Sequence, residues 1–486
     1  MGNFPTLVLK RIECRVLPMR TRFPFRYGIA SLTALPHLVL QAEVEVDGQR
    51  ATGLASEGLP PKWFTKKVDT SFEQDLPAML AVIQKAIEAA LASPAGSFFS
   101  HWRNLHDEQM AWASSEDHPP LLANLGVSLV ERVLLDALCR HLQRPVDEVI
   151  RENLIDLRLG DVRADLAGLA LADILPGKPA ATIIARHTIG LGDPLTLADV
   201  TDETRVDDGL PLDLESCIRS HGLTHFKIKV CGDLSVDLPR LRTLAELMGP
   251  QARFTLDGNE QYVDIAAFRE DWEAWREDRI VRECLDAGLL LVEQPAHRGQ
   301  TLADSVAEDL AAWPERPSLI IDEADGDLDS LPAALALGYD GCSHKNCKGI
   351  VKGIANAATL ARVDHERPAH LTGEDLANVG PIALLQDLAM MATLGIAHVE
   401  RNGHHYFRGL CAWPEAVCEA SLAAHGDLYR EHPDGYPTLR IEAGRLHLAS
   451  VLAAPFGLQP CLDVTALAEV DLSDLPGFLV AGMPTA

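Results

Sequence analysis

Five apolar runs of the sequence end in charged motifs: Phe226-Lys-Ile-Lys229, Leu256-Asp-Gly-Asn259, Val292-Glu-Gln-Pro295, Ile320-Ile-Asp-Glu323 and Ser343-His-Lys-Asn346. From Lys229 to Asp257, and on to Glu293, Asp322 and Lys345, the steps are 28, 36, 29 and 23 residues. A strand, a helix and two connecting loops take roughly thirty residues, so this spacing predicts successive βα units. Charged residues that close the strands of a barrel meet at one face, where barrel active sites lie. Three carboxylates and three lysines at that face indicate a divalent metal flanked by bases.

The βα alternation extends over residues 180–410. Eight strands are predicted there: Thr182–Thr188, Thr224–Val230, Arg253–Leu256, Leu289–Val292, Ser318–Ile321, Asp340–His344, Pro368–Leu371 and Ala397–Glu400. Helical segments separate these strands, and no Gly-x-Gly-x-x-Gly motif follows the first one. A closed (β/α)8-type barrel of the α/β class, a modified TIM barrel, is therefore favoured over an open dinucleotide-binding sheet.

Residues 1–150 have a different pattern, in which strands come first and helices follow. Alternating apolar residues predict strands over Thr6–Val16 and His37–Val46, and the turn signal Asp47-Gly48 leads into a third strand. Between the first two strands, Thr21–Gly28 is predicted to be a basic and aromatic loop. Apolar residues at helical spacing then predict two long helices, so this range is interpreted as an α+β unit.

Two stretches, Ser93–His118 and Leu191–Asp213, are interpreted as insertions, the first because it lacks periodicity. The C-terminal segment, residues 411–486, contains an alternating run that predicts a small hairpin turning at Ala443-Gly444. This segment is expected to pack back on the N-terminal unit.

Length, charge and cysteine usage limit the partners of the protein. With 486 residues, 47% of them hydrophobic, the chain can bury a large core and hold more than one domain. Its formal charge of -27 disfavours nucleic acid and anionic membranes as partners. Ten scattered cysteines and an N-terminus without a signal-peptide pattern predict a cytoplasmic protein. We expect a small-molecule substrate and a homo-oligomer.

The five motifs, their order and the α+β unit before the barrel closely resemble the enolase superfamily. The best match within it is the mandelate racemase/muconate lactonizing enzyme family, in the group with one lysine on each side of the active site. The resemblance extends from the strand around Ile12 through Val133-Leu-Leu-Asp-Ala-Leu138 to Pro455-Phe-Gly-Leu458. It implies an N-terminal capping domain (1–150), a modified TIM barrel (180–410) and a C-terminal segment (411–486) that completes the cap.

The resemblance further implies an enzyme that removes the α-proton of a carboxylate substrate and forms a metal-stabilised enolate. Mg²⁺, with Mn²⁺ as a possible substitute, would be held by Asp257, Glu293 and Asp322, because Mg²⁺ prefers carboxylate oxygens. The implied activity is that of a racemase or epimerase, or of a cycloisomerase. The alternative that these three acids only pair with neighbouring lysines stays open.

Three lysines are expected to move or hold protons and substrate. Lys227 and Lys229 lie two residues apart on a strand, so both side chains project to the barrel interior. By the resemblance, Lys229 is the base, whereas Lys227 holds the substrate carboxylate and lowers the pKa of Lys229. Lys345 comes from the sixth strand, opposite the second, and would serve the other face of the enolate.

Seven further residues are expected to orient the ligands or contact the substrate: Asn259, Glu323, Lys348, Glu374, Glu400, His404 and His405. The Asn259 amide would orient a metal ligand or a lysine. Glu323 is expected to point across its strand and pair with a lysine, and Lys348 either reinforces the site or lies on the loop. Asp325 and Asp327 are interpreted as loop acids without a role in the site.

Two segments of the first domain, Arg22–Leu32 and Glu57–Thr65, are expected to reach over the barrel mouth. Their aromatic residues would exclude water and set specificity, and ordinary packing between domains is the alternative.

Departures from the family pattern leave the reaction open. Glu400-Arg-Asn-Gly-His-His405 stands where dipeptide epimerases have paired aspartates, which argues against a dipeptide substrate. His370, on the seventh strand, keeps an acid-sugar dehydratase, a β-eliminating enzyme, as an alternative. More remote readings are a class I aldolase, with a lysine Schiff base and no metal, and a non-catalytic binding protein.

Overall fold

The structure, a computed structural model, describes residues 4–362 and 367–484. Its N-terminal part contains five strands: β1 (Leu7–Leu17), β2 (Arg20–Tyr27), β3 (Ala30–Ala34), β4 (His37–Val46) and β5 (Gln49–Gly58). β4 is the central strand of an antiparallel sheet, since it pairs with β1 on one side and with β5 on the other. Buried Val44 and Val46 alternate with half-buried residues because one face of this strand packs on the helices that follow.

The prediction of a loop over Thr21–Gly28 is wrong. β2 and β3 form a separate antiparallel hairpin in which Tyr27 lies opposite Ala30. Phe23, Phe25 and Tyr27 are buried at every second position, the periodicity of a strand. The basic residues between them masked this alternation in the sequence.

Four helices follow the strands of the cap: Pro61–Thr65, Phe72–Ala92, Phe98–Ser115 and Pro120–Leu142. The third of these shows that interpreting Ser93–His118 as an irregular insertion was wrong. Ser97 caps its N-terminus by accepting a hydrogen bond from the backbone N–H of Ser100. Phe98, Trp102 and Leu105 are buried on one side of this helix, but the histidines and tryptophans among them obscured the stripe.

Helix Pro120–Leu142 lies so close to its neighbours that glycine is required at two contacts. A Cβ atom at Gly53 would lie 1.9 Å from the backbone oxygen of Val133, and one at Gly126 would lie 2.3 Å from that of Val82. Both obstacles are backbone atoms, which cannot rotate away. The buried helix can therefore approach β5 at Gly53, and the helix Phe72–Ala92 at Gly126, only because these positions carry no side chain.

Gly53→Ala is expected to lower the free energy of unfolding by about 1–3 kcal/mol, the usual cost of overpacking a core. Chemical denaturation measures this difference. Gly177→Ala is the matched control, because a Cβ there meets no atom within 4 Å. The control should change stability by less than about 0.5 kcal/mol, and equal stability of the two variants would contradict the close contact at Gly53.

Eight parallel strands form the barrel: β6 (Thr182–Ile189), β7 (His225–Lys229), β8 (Arg253–Asp257), β9 (Leu289–Glu293), β10 (Leu319–Ile320), β11 (Gly341–His344), β12 (His370–Gly373) and β13 (His398–Arg401). Their order around the sheet is β10-β9-β8-β7-β6-β13-β12-β11. A bridge between Ile321 and Cys342 joins β10 to β11 and closes the ring. Each strand lies within two residues of its predicted bounds. The predicted fold class, a modified TIM barrel with an α+β cap, is confirmed.

The helices after the cap are mostly short, and they surround the barrel or join it to the cap and the tail. Their bounds are Val146–Arg151, Leu159–Val162, Leu171–Ile174, Leu214–His221, Leu234–Met248, Ile265–Glu277, Arg279–Gly288, Arg298–Thr301, Ser305–Ala311, Ser330–Leu337, Ile350–Arg362, Ile382–Thr393, Gly403–Tyr406, Glu415–Ala424, Ala449–Ala453 and Leu475–Gly482. Single 3-10 turns cover Ala164–Leu166, Leu197–Asp199 and Asn346–Lys348. Within residues 4–362 and 367–484, no helix has the length and apolar character needed to cross a bilayer.

The C-terminal segment adds four short strands: β14 (Tyr429–Glu431), β15 (Pro437–Leu439), β16 (Arg445–His447) and β17 (Ala468–Glu469). The chain does turn at Ala443-Gly444, where both residues have positive φ. The predicted hairpin turn is present, because Glu442 and Arg445 form an antiparallel bridge across it. The strands on either side do not pair with each other: β15 pairs with β14, and β16 pairs with the barrel strand β6. β17 then returns to the cap and pairs with β1.

Candidate metal and lysine site

Lys227 lies at the centre of a buried cluster of acids at the C-terminal ends of the barrel strands. Its Nζ atom lies 2.8–2.9 Å from carboxylate oxygens of four residues: Asp257, Glu293, Glu374 and Glu400. Lys227 is 1% exposed. Burial alone would lower its pKa, but the four carboxylates outweigh burial and raise the pKa well above its ordinary value. Lys227 is therefore a fixed positive charge that holds the acids together.

Lys229 projects into the same interior, as its spacing from Lys227 predicts. Its Nζ atom donates a hydrogen bond to Oδ2 of Asp257 at 2.5 Å. Burial and the charge of Lys227 both lower the pKa of Lys229, the second as expected from the sequence. The attraction of Asp257 is stronger in this arrangement, so the pKa is raised. The pKa of Lys229 is therefore set by the negative charge of Asp257 beside it: Lys229 stays protonated while that charge is present, and its pKa would fall if the charge were neutralised.

Lys345 enters the cluster from the other side, after β11. Its Nζ atom lies 2.8 Å from Asp322 Oδ1 and also donates to Glu374. The same ammonium group lies 5.0 Å from the centre of the Trp63 ring, at cation–π distance. Lys348 reaches Asp322 Oδ1 at 2.8 Å as well, so it is a buried part of the site and not a loop decoration.

Three carboxylates lie close enough together to share one cation. Ligand oxygens of Glu293, Asp322 and Glu374 all lie within 4.8 Å of one another. Burial and the neighbouring acids raise the pKa of Glu293 well above its usual value, although Lys227 Nζ lies 2.9 Å from its Oε2 atom. Burial opposes ionisation of Asp322, but Lys345 and Lys348 outweigh it and hold the pKa of Asp322 below its usual value.

The donor set fits a hard divalent cation such as Mg²⁺, because all of its atoms are carboxylate oxygens. The expected ligand Asp257 borders this group, since Lys227 Nζ lies 2.9 Å from both Asp257 and Glu293. The Oδ2 atom of Asp257 faces the two lysines of β7. Glu374, which the sequence suggested as a residue that orients the ligands or contacts the substrate, instead lies with Glu293 and Asp322 in the group of oxygens.

The sequence did not indicate which residues hold Glu374 and Glu400 in place. Thr188 donates a hydrogen bond to Glu400 Oε1 at 2.7 Å, and Arg186 Nη2 lies 3.5 Å from Glu374 Oε1. Burial opposes ionisation of Glu374, but Lys227 and Lys345 hold its pKa well below the usual value. Arg186 and Thr188 lie two residues apart on β6 and share its interior face. The two-residue spacing of Arg186 and Thr188 on a predicted strand is the signal that could have placed both side chains in the barrel interior.

Asn259 and Gln294 hold the acids of the site in place through hydrogen bonds. The backbone N–H of Asn259 donates to Asp257 Oδ1 at 2.8 Å, and its side-chain amide donates to Glu323 at 3.1 Å. Glu323 is thus held by an amide instead of the expected lysine. Gln294 accepts hydrogen bonds from the backbone N–H groups of Asp322 and Ala324. Asp325 lies outside the cluster proper and pairs with the buried Lys352.

A cavity opens over the cluster, and the cap forms one of its walls. From the barrel it is lined by Lys227, Lys229, Asn259, Asp322, Lys345, Glu374, Asp375, Leu376, Ala377, Glu400 and Asn402, and from the cap by Phe25, Tyr27, Pro60 and Trp63. Both cap segments expected over the barrel mouth therefore reach the site.

His404 and His405 are not brought into this cavity. They follow β13 in the short helix Gly403–Tyr406 and pack behind β6, where His404 Nε2 lies 3.0 Å from His187 Nδ1. His370 is also absent from the cavity lining, because it begins β12 at the opposite end of the barrel.

No protein-family model matches the chain. An L-Lys-D/L-Arg epimerase from Methylococcus capsulatus is 30% identical over 171 residues, which are 34% of this chain and 40% of that relative's length. A dipeptide epimerase from Enterococcus faecalis, solved with Mg and the dipeptide L-Leu-L-Tyr, has a TM-score of 0.59 at 15% identity, covering 93% of this chain and 99% of that one. A mandelate racemase/muconate lactonizing protein from Herpetosiphon aurantiacus has a TM-score of 0.58 at 17% identity, covering 92% and 97%.

At such low identity the likeness lies in the fold. The chain has the fold of mandelate racemase/muconate lactonizing proteins and dipeptide epimerases over nearly its whole length. The fold that the resemblance implied is therefore confirmed.

Proposed function

We propose that this chain is an enolase-superfamily enzyme, an isomerase or lyase, that removes the α-proton of a small carboxylate substrate with the help of Mg²⁺. One observation carries the proposal: two buried lysines face one cavity from opposite sides of the barrel, each bound to a different acid. Lys229 extends from β7 to Asp257, and Lys345, after β11, extends to Asp322. β7 and β11 are separated by three strands in either direction around the ring.

The chemistry follows from this placement. When bound, the metal would neutralise the charge that develops on the substrate carboxylate as the α-proton leaves. Glu293 and Asp322 would hold it, with Asp257 as the expected third ligand and Glu374 as an oxygen donor already within reach, and Mn²⁺ is a possible substitute. Lys229 would take the proton from one face of the α-carbon, and Lys345 would deliver or take one at the other. The aromatic side chains of the cap would keep water from the cavity.

Racemisation or epimerisation is the favoured reaction, because it uses a base on each face. The partial match to an epimerase supports the same class of reaction. Cycloisomerisation needs only one transferring lysine and remains the second candidate. The acid-sugar dehydratase is no longer favoured, because His370, the residue that suggested this alternative, does not line the cavity. The identity of the substrate and assembly as a homo-oligomer remain predictions.

Incubation with a library of chiral carboxylates in the presence of Mg²⁺, followed by chiral chromatography and NMR, tests this proposal. We expect at least one carboxylate to be interconverted with its stereoisomer or cyclised, and EDTA to stop the reaction. Activity that persists in EDTA, together with a lysine adduct trapped by borohydride, would instead establish a Schiff-base aldolase.

Trp63→Leu is expected to lower kcat/KM, because the indole ring lies over the Lys345 ammonium group. A cation–π contact is worth about 0.5–2 kcal/mol, so the loss should be roughly 2-fold to 30-fold. Trp63→Phe keeps an aromatic face and serves as the matched variant, with a smaller loss. A melting temperature that falls in both variants while kinetics stay unchanged would show that Trp63 only packs the cap on the barrel.

A further inference from the structure

A second cluster of metal-ligating side chains lies outside the barrel, behind its first strand. Arg186 and Thr188 of β6 point into the barrel, so His187 between them points outward. It meets Cys217 of helix Leu214–His221 and His405 of helix Gly403–Tyr406. The cluster therefore joins the first strand, the helix that follows it and the segment after the last strand.

The ligating atoms are close together and well buried. Those of His187, Cys217 and His405 all lie within 4.8 Å of one another, and each residue is at most 3% exposed. Cys217 Sγ lies 3.6 Å from His405 Nδ1. His404 stands beside them, with Nε2 at 3.0 Å from His187 Nδ1. The His187 ring centre also lies 5.0 Å from that of His405.

These distances suit a tetrahedral ion of the zinc class. Zn–S bonds of about 2.3 Å and Zn–N bonds of about 2.0–2.1 Å place neighbouring sulfur and nitrogen ligands about 3.6 Å apart. The Cys217–His405 separation already has this length. The other separations in the trio are at most 4.8 Å, which exceeds a tetrahedral edge by up to about 1.2–1.5 Å, so binding requires the imidazole side chains to rotate toward the ion.

Two histidines beside the trio, His404 and His221, are incompletely hydrogen-bonded. The Nδ1 atom of each is buried and has no hydrogen-bond partner. Unpaired buried polar atoms cost free energy, so hydrogen bonding alone does not satisfy the imidazole groups around the trio. Burial lowers the pKa of His187 to about 3, so its ring is neutral, the form that binds metals.

We propose that His187, Cys217 and His405 form a three-residue binding site for a zinc-class transition-metal ion, with the fourth coordination position left to a water molecule. Imidazole and thiolate are borderline and soft donors, which Mg²⁺ does not favour, so the site is chemically distinct from the all-oxygen cluster inside the barrel. Binding would release the Cys217 thiol proton to solvent, because a coordinating thiol is deprotonated. A cavity lined in part by His221, His404 and Arg430 lies beside the histidines that neighbour the trio.

The site would link elements that are distant in sequence. His187 belongs to β6, Cys217 to the helix Leu214–His221 and His405 to the segment after β13, so one ion would fasten the first and last βα units of the barrel. We therefore expect Zn²⁺ to stabilise the fold independently of catalysis.

Titration of the metal-free full-length protein with Co²⁺, in saturating Mg²⁺, tests this proposal. We expect a sulfur-to-cobalt charge-transfer band and the strong visible absorption of four-coordinate Co²⁺, both abolished by equimolar Zn²⁺. Cys217→Ser should remove the charge-transfer band and weaken Co²⁺ binding by at least about tenfold. His405→Gln should weaken binding similarly while a weaker charge-transfer band remains.

The matched control is Cys418→Ser, which changes another buried cysteine that pairs with backbone carbonyls. It should retain the band and bind Co²⁺ within about twofold of the unchanged protein, a difference below 0.5 kcal/mol. The absence of any charge-transfer band in the unchanged protein would overturn the proposal. So would a band that survives in Cys217→Ser, or one that disappears in Cys418→Ser.

Discussion

Replacement of either Lys229 or Lys345 by alanine is expected to abolish net inversion of the substrate. Inversion needs a base on one face of the α-carbon and an acid on the other, and these lysines reach the cavity from opposite strands. A positioned acid or base contributes roughly 10²–10⁴-fold to rate, so each variant should lose at least that much activity. Polarimetry or chiral chromatography from both stereoisomers measures the loss.

Isotope exchange distinguishes the roles of the two lysines. Lys345→Ala should still exchange the α-proton of the stereoisomer that Lys229 deprotonates, and Lys229→Ala should exchange that of the other. In a cyclising or eliminating enzyme, loss of the transferring lysine should end exchange, whereas loss of the other should only slow it. Equal exchange of both stereoisomers by either variant would contradict the opposed placement.

Lys352→Met is the control for these lysine variants. Lys352 is also buried, but it pairs with Asp325 and does not line the cavity. Its loss should lower stability, because it leaves the buried Asp325 with only a 3.8 Å ion pair to Lys348 and a hydrogen bond from Asn356. The symmetry of exchange between the two stereoisomers should not change.

The second large expected effect is stabilisation of the folded protein by Mg²⁺. Mg²⁺ at one hundred times its Kd is expected to stabilise the protein by about 2.7 kcal/mol, because it binds only the folded state. Glu293→Gln should abolish this stabilisation and the magnesium-dependent activity together, since Glu293 contributes to the oxygen cluster. Thermal unfolding with increasing Mg²⁺ and isothermal titration calorimetry measure the two effects.

Asp237→Asn tests whether any buried carboxylate would behave in this way. Asp237 accepts hydrogen bonds from the backbone N–H groups of Cys231 and Gly232, away from the cluster. The variant should be less stable but should keep the full magnesium-dependent shift. Retention of the shift by Glu293→Gln would show that the metal binds elsewhere.

The barrel could be predicted from the sequence because one pattern, an apolar strand that ends in a charged motif, occurs five times in succession. Each charged motif closes a buried strand, and the motifs follow one another at intervals of 23 to 36 residues, each about the length of a βα unit, so Lys229, Asp257 and Lys345 could be placed around one ring. A side chain two residues from another on a strand must share its face, which correctly put Lys227 beside Lys229.

Other features depended on contacts that no local pattern encodes. The sequence correctly predicts the turn at Ala443-Gly444, but the strands on either side pair with β14 and with β6 instead of with each other. His404 follows a barrel strand like the catalytic candidates, yet the short helix Gly403–Tyr406 turns it behind β6. The position of Glu374 between Lys227 and Lys345 likewise depends on the close packing of charges from four strands.

Deuterium incorporation at the α-carbon of a turned-over carboxylate tests the central claim most directly. The reaction is run in deuterium oxide and followed by NMR, once with Mg²⁺ and once with EDTA. We predict incorporation at least as fast as product formation, dependent on Mg²⁺ and absent from the Lys229→Ala, Lys345→Ala double variant. Turnover without α-deuterium incorporation, or incorporation unaffected by EDTA, would contradict magnesium-assisted proton abstraction by these lysines.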